Sequence, residues 1–183
     1  MNENSPVSKP KPSLVIETLD ADRAATLLDP LAGILAGCVE GGAGVGFVQP
    51  FSHNEAVRFW QSRLPGLEKG ERYLLAAMEA CRPVGTVMLE LAPQDNGRHR
   101  AEVAKLLVHP GFRRRGIARL LLEALDGLAI SLGRTLLVLD TVTGDAAEGL
   151  YPQCGYARVG VIPDYARHPV EGYSATTVFY KQL

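Results

Sequence analysis

Residues 108–118 read Val108-His109-Pro110-Gly111-Phe112-Arg113-Arg114-Arg115-Gly116-Ile117-Ala118, and this stretch decides the fold. Before it, residues 100–108 form a strand candidate. After it, apolar residues at 117, 121, 124, 125, 128 and 132 have helical spacing over 113–132, which Gly133 stops. Residues 135–140 (TLLVLD) are then a nearly continuous apolar run, as expected of a strand buried on both faces. Strand, helix and strand make one βαβ unit whose two strands are parallel. A helix beginning near Arg113 presents amide N–H groups that lack intrahelical partners and carry partial positive charge. Gly116 and Ala118 are small enough to let an anion approach the backbone, and three consecutive arginines add bidentate donors. The junction therefore predicts a site for a polyanion such as a pyrophosphate, in preference to a merely solvated basic helix start.

Working outward, residues 14–19 (LVIETL) form a strand candidate, and Asp20 offers a cap to an apolar-periodic stretch over 21–39. Pro30 predicts a kink there or two short helices. A glycine-rich loop follows at 41–46, without the Lys-Ser/Thr ending of a phosphate-binding P-loop. Ser52 and Asn54 suit the start of a further helix, which Pro65-Gly66 is expected to end. Strands are expected over 72–80 and 84–91, separated by Cys81-Arg82-Pro83. Residues 93–97 (PQDNG) form a turn before the strand at 100–108, giving an antiparallel meander. A short helix over 145–153 and strands over 156–161 and 175–180 complete the expected elements. Residues 1–13, with three prolines and no apolar run, read as a disordered tail rather than a signal peptide. Residues 14–183 are then one α/β domain.

Composition narrows the function. Hydrophobic residues make up 46% and charged residues 21% of the 183, ordinary for a soluble enzyme. With 19 Lys and Arg against 20 Asp and Glu, the net charge of −1 argues against a nucleic-acid or anionic-membrane surface. No apolar run approaches the roughly 20 residues of a membrane span. Cys38, Cys81 and Cys154 are odd in number and far apart; they form neither a disulfide framework nor a metal pair, and buried reduced thiols in a cytoplasmic protein are expected.

Arg113-x-x-Gly116-x-Ala118 matches the Q/R-x-x-G-x-G/A signature of Gcn5-related N-acetyltransferases, and Leu106-Leu107-Val108-His109-Pro110 resembles that family's fourth strand. Leu150-Tyr151-x-x-x-Gly155-Tyr156 resembles its later L-Y-x-x-x-G-F/Y motif, at the right spacing. The resemblance implies a mixed, mostly antiparallel α/β sheet whose parallel fourth and fifth strands splay apart around the pantetheine arm of acetyl-CoA. Leu106, Leu107 and Val108 would bond that arm, and the amides of Arg113, Arg114, Arg115, Gly116, Ile117, Ala118 and Arg119 would hold the pyrophosphate. No metal is implied. One departure is Gly144, where many members carry asparagine; Asp145 beside it is expected to cap the short helix. Residues 41–47, 100–106, 139–141 and 179–181 look like the tabtoxin-resistance subgroup, which detoxifies a β-lactam-containing amino acid.

That subgroup's catalytic carboxylates and tyrosine would fall on Glu102, Asp140 and Tyr151. From the residues alone Glu102 reads first as a salt-bridge partner of Lys105 or Arg100, Asp140 also as a helix-capping or turn residue, and Tyr151 also as a core tyrosine; the subgroup resemblance moves both carboxylates toward a catalytic role. The chemistry suits them in a catalytic role as well. An α-amine of pKa near ~8 is about a tenth neutral at pH 7, a penalty of about 1.4 kcal/mol, whereas a lysine-type amine pays over ~4 kcal/mol. A weak carboxylate base serves the first. A phenol can protonate a thiolate leaving group as it forms. His109 and Cys154 read as structural. The expected activity is acetyl-CoA-dependent acetylation of a small amino-acid-like amine, with no nucleic-acid or membrane partner, in a monomer or homodimer. A protein N-terminus, a polyamine, an aminoglycoside, or a non-catalytic acyl-CoA sensor are the competing readings.

Overall fold

The computed structural model describes residues 13–183; the expected tail, up to residue 12, lies outside the described residues. Seven strands, β1 (Leu14–Leu19), β2 (Arg72–Glu79), β3 (Arg82–Leu91), β4 (Arg100–Val108), β5 (Leu136–Val142), β6 (Ala157–Arg167) and β7 (Tyr173–Gln182), form one sheet. Their order is β1-β2-β3-β4-β5-β7-β6. Only β4 and β5 run parallel; every other neighbouring pair is antiparallel.

Helices cover both faces. The helices α1 (Ala21–Thr26), α2 (Leu28–Glu40) and α3 (His53–Glu68) lie on one, and α4 (Ile117–Ser131) with the short α5 (Leu150–Gln153) on the other. Period-2 alternation sorts the strand residues between the two layers. Leu74, Ala76 and Met88 pack with Leu31, Leu35 and Trp60 of the first layer. Leu75, Val87 and Leu89 pack with Leu121, Leu125 and Phe179 of the second. Both faces of β2 and β3 are thus dry, and each fully buried Leu or Phe contributes about 1.5–3 kcal/mol.

Several boundaries differ from the sequence expectation, each for a local reason. The break in residues 21–40 falls at Leu27; Pro30 sits in the first turn of α2, where its missing N–H costs nothing. The expected cap at Asp20 is present, its carboxylate accepting from the Arg23 N–H at 2.7 Å. Ser52 and Glu55 form a reciprocal capping box on α3. That helix does not end at Pro65-Gly66 but continues to Glu68, its last turns carried by Leu64 and Leu67 against the core. Ala80 and Cys81, both at positive φ, make the two-residue turn between β2 and β3. Cys81 is consequently exposed, contrary to the expectation of three buried thiols, whereas Cys38 is buried and all three are free. Helix α4 starts at Ile117 rather than Arg113, and α5 spans only four residues because 145–149 are turns. Strands β6 and β7 are longer than expected and absorb most of 163–173 into a hairpin.

Two irregularities shape the sheet's centre. Strands β4 and β5 pair only at Arg100–Leu136, Ala101–Leu137 and Glu102–Val138. Beyond that point β4 stays with β3 and β5 with β7, so the parallel strands diverge into a wedge. On its other side β4 carries a bulge: Thr86 pairs with Leu107 and Met88 with Ala104, leaving Lys105 and Leu106 opposite Val87. Lys105 takes φ +51, and the buried Thr86 hydroxyl donates to its carbonyl at 3.1 Å.

Candidate active site

A cleft of about 1020 Å³ opens where β4 and β5 part. One wall is the loop after β4. There Pro110–Phe112 form a 3₁₀ turn capped by His109, whose Nδ1 accepts from the Gly111 N–H at 3.1 Å. His109 is thereby structural, as its position beside the proline suggested. Residues 113–116 then loop into α4 with Arg114 at φ +60 and Gly116 at φ +77. The left-handed conformation at Gly116 favours glycine, and a Cβ built there would meet no protein atom within 4 Å, only open space. This corrects the simpler picture of a helix beginning at Arg113. The element expected to hold an anion is a loop of tightly turned backbone that ends in the N-terminus of the 15-residue α4.

The arginines divide their work. Arg113 reaches back toward α2, its guanidinium 3.5 Å from the Val108 carbonyl and 3.8 Å from Cys38 Sγ. Burial raises the Cys38 thiol pKa, opposed by Arg113. Arg114 lines the cleft. Arg115 does not; its side chain pairs with Glu79 and stacks on Phe112. Arg119 binds the Gln153 side chain at 3.0 Å and ties α4 to α5. A polyanion in the cradle would therefore meet the backbone amides and the Arg113 and Arg114 side chains. Leu106, Leu107 and Val108 line the wedge, on an edge of β4 that no strand of β5 covers. An unpaired strand edge leading from an anion cradle suits a long ligand with a phosphate end and an amide-bearing arm.

Glu102, Asp140 and Tyr151 all line this cleft, but from different layers. Ala101 and Val103 face α4, so Glu102 between them faces the α1–α3 side. Asp140 lies two residues past Val138, the register partner of Glu102, and so shares that face; it accepts from the buried Thr176 hydroxyl at 2.7 Å. The Glu102 pKa is raised, first by burial at the foot of the cleft, then by the charges of Glu90 and Asp140. Tyr151 belongs to the opposite layer. Its ring is buried against Tyr156 (5.6 Å between centroids) and Phe179 (5.5 Å). Burial, then the Asp140 charge, push its phenol well above the ordinary tyrosine pKa.

The sequence reading missed four contributors. Glu90 sits directly across from Glu102 in the β3–β4 register, a like-charge pair that a sheet normally avoids. Lys105 turns its ammonium over the rings of Phe47 (6.0 Å) and Phe59 (5.5 Å). Thr176 fixes Asp140. Glu148 accepts from the Gly144 N–H at 2.6 Å and from the Thr177 hydroxyl at 2.7 Å, holding the turn at 144–149 against β7. Asp145 accepts from the adjacent Ala146 N–H at 3.1 Å and caps no helix. Only the glutamate at 90 had a signal in sequence, an acidic residue next to last in a mostly apolar strand. The glycine loop completes the cleft: Gly44 lies so close to β5 that a Cβ would stand 2.2 Å from Val142 Cγ2. Gln49 binds the carbonyls of Val39 and Glu40 at 2.9 and 3.0 Å, and its N–H reaches the Pro169 carbonyl at 2.8 Å. Through Gln49, the segment that follows the glycine loop is joined at Pro169 to the turn between β6 and β7.

Among the described residues no cluster of three or more His, Cys, Asp or Glu is arranged for a metal ion, and no helix is long and apolar enough to cross a membrane. The sequence profile of the acetyltransferase (GNAT) family matches residues 45–156. Glucosamine 6-phosphate N-acetyltransferase of Schizosaccharomyces pombe is 33% identical over 69 residues, 37% of this chain, and the chain spans 60% of that relative's length. An N-acetyltransferase from Staphylococcus aureus Mu50 superposes with TM-score 0.76 at 14% identity, over 93% of this chain and 98% of its own. An acetyltransferase of Salmonella typhimurium, solved with its cofactor acetyl-CoA, gives TM-score 0.75 at 18% identity over 93% and 94%. At such identities the two structures establish the fold.

Proposed function

Because the chain belongs to the acetyltransferase (GNAT) family, we propose that it is an acetyl-CoA-dependent N-acetyltransferase acting on a small amino-acid-like amine. The observation that carries the reading is the meeting, in one cleft, of an anion-binding loop, an uncovered strand edge, a buried tyrosine and two carboxylates. The amides of residues 113–119 hold the pyrophosphate, with Arg113 and Arg114 beside it, and Arg115 contributes only backbone. Leu106, Leu107 and Val108 align the pantetheine arm in the wedge. Bound there, acetyl-CoA supplies an acetyl group activated as a thioester.

The remaining work falls to the chain's own side chains. Glu102 and Asp140 attract the acceptor's ammonium, and its proton leaves to Glu102, directly or through one water. The raised pKa of Glu102 makes it a stronger base than an ordinary glutamate, and the Thr176 hydroxyl holds the Asp140 carboxylate in place. Tyr151 donates its hydroxyl proton toward the departing sulfur from the opposite layer. These bases suit an α-amine with pKa near ~8 far better than a lysine-type amine near ~10.4.

The resemblance of residues 41–47, 100–106 and 139–141 to the tabtoxin-resistance subgroup makes a tabtoxin-like amino-acid toxin the sharpest candidate acceptor. The test is thiol release from acetyl-CoA against free amino acids, dipeptides, polyamines, amino sugars and peptide N-termini. Amino acids or dipeptides should give the highest kcat/KM; a marked preference for polyamines or protein N-termini would overturn the acceptor assignment.

A further inference from the structure

The acceptor end of the cleft contains a cation that the acetyl-transfer chemistry does not use. Lys105 leaves β4 at the bulge, and its left-handed backbone aims the side chain away from the strand's regular alternation toward the glycine loop and α3. Its Nζ rests over Phe47 and Phe59 and comes within 3.9 Å of the Cβ position at Gly46. Among the described residues no carboxylate lies within 4 Å of this ammonium, and no acceptor bonds its three N–H donors. Two aromatic faces offer it cation–π attraction but leave those donors unfilled. A second cation, the Arg63 guanidinium, stands 4.9 Å from the Phe59 ring.

The obvious structural role for Lys105 is to neutralise the Glu90–Glu102 pair. The position of its head group speaks against that as the whole account, because the ammonium rests over Phe47 and Phe59 and forms an ion pair with neither carboxylate. The acceptor end is therefore divided: carboxylates at Glu90, Glu102 and Asp140 on the sheet, a cation without an ion-pair partner under the loop and α3. Desolvation, with the Arg63 charge, depresses the lysine's pKa and Glu90, Glu102 and Asp140 oppose the depression; an anion bound at the ammonium would offset the desolvation.

Building on the proposed acetylation of an amino-acid-like amine, we propose that Lys105 is the specificity residue that binds the acceptor's carboxylate, while Glu102 and Asp140 bind its ammonium. The acceptor is then a free zwitterionic amino acid rather than an amide, a polyamine or an amino sugar without an anionic group. A charge-assisted bond of this kind discriminates by roughly 10- to 100-fold when one partner is neutralised.

The experiment compares kcat/KM, referred to the unprotonated amine of each substrate, for free L-amino acids and for their α-carboxamides, in the parent and in Lys105→Met, Lys105→Arg and Lys105→Gly. Lys105→Gly deletes the cation while relaxing the positive φ, so it guards against a variant that fails for backbone reasons. The thermal shift given by acetyl-CoA reports that each variant is folded and keeps its cofactor cleft. The parent should prefer the free acid by about 10-fold or more, expressed mainly in KM. Lys105→Arg should keep a preference, and in Lys105→Met and Lys105→Gly the acid-to-amide ratio should fall toward one. A ratio unchanged in the folded Met and Gly variants would overturn the role of Lys105 while leaving amino-acid acetylation standing. Equal use of acids and amides by the parent would do the same. Failure of the parent to acetylate either series, with turnover of another amine, would remove the acceptor assignment on which the inference rests.

Discussion

Tyr151→Phe isolates one oxygen atom. The ring lies against Tyr156 and Phe179 and is only 6% exposed, so phenylalanine keeps the packing and the fold should change by about 1 kcal/mol or less. Turnover should change far more. An ordinary phenol near 10 is about 1.5 pKa units weaker as an acid than a thiol near 8.5, so complete proton transfer to a thiolate is uphill by about 2 kcal/mol. Burial and the Asp140 charge raise the Tyr151 pKa and widen that gap. The hydroxyl consequently acts as a hydrogen-bond donor while charge builds on sulfur and yields its proton only late. That places the loss at the lower end of general-acid effects, about 10²–10³-fold in kcat, or roughly 2.7–4 kcal/mol. The assay is single-turnover acetylation of the best acceptor, which keeps product release from masking the chemical step, with acetyl-CoA affinity measured separately. Affinity should stay within a few-fold of the parent. Because the phenol stays protonated beyond pH 10, any alkaline limb in the parent should persist in the variant. A single-turnover rate within about threefold of the parent would refute the argument and make Tyr151 a packing residue.

The other predictions concern the cradle, the base and the loop. Gly116→Asp forces a side chain into a left-handed conformation and sets a negative charge in the cradle; acetyl-CoA at 100 times its Kd should stabilise the parent by about 2.7 kcal/mol, a rise of about 5–11 °C in Tm, and the variant by almost nothing. An equal shift in both proteins would sink the cradle assignment. Glu102→Gln should abolish an acid limb of kcat/KM that lies above the ordinary glutamate range, since the base must be ionised and its folded pKa is raised. The same raised pKa means that the ionised carboxylate is held unfavourably in the fold. Its stabilising contribution is full below the unfolded glutamate pKa and is lost as pH rises through the folded value, so Glu102→Gln should increase Tm at neutral pH and lose that advantage near pH 4 and below; a lower Tm at pH 7 would contradict this. Gly44→Val should displace the loop from Val142, cost about 1–3 kcal/mol by denaturation and raise the acceptor KM; unchanged values would show that the loop is not seated there.

Much of the architecture was legible because it depends on short-range patterns. The apolar spacing from 117 to 132 and the run at 136–139 specified the βαβ unit from local periodicity alone. The caps at Asp20 and Ser52 were equally local. Element ends were less legible wherever packing outweighed punctuation: α3 passes through Pro65 because Leu64 and Leu67 reach the core, and 145–149 stay out of α5 because Glu148 binds Gly144 and Thr177 instead.

The composition of the acceptor end was decided only by tertiary structure. Glu90 meets Glu102 through strand register, and Lys105 reaches Phe47 and Phe59 through a bulge and a left-handed backbone that nothing in its immediate sequence announces. Arg115, in the middle of the most legible motif, turns away to Glu79. The sequence by itself determined the local backbone of the β4–α4 junction, because a strand, a glycine turn and a helix start are contiguous along the chain. Which charges face one another across the cleft depends on where separate strands and loops come to rest, and Coulomb energy depends on distance in space rather than separation in sequence.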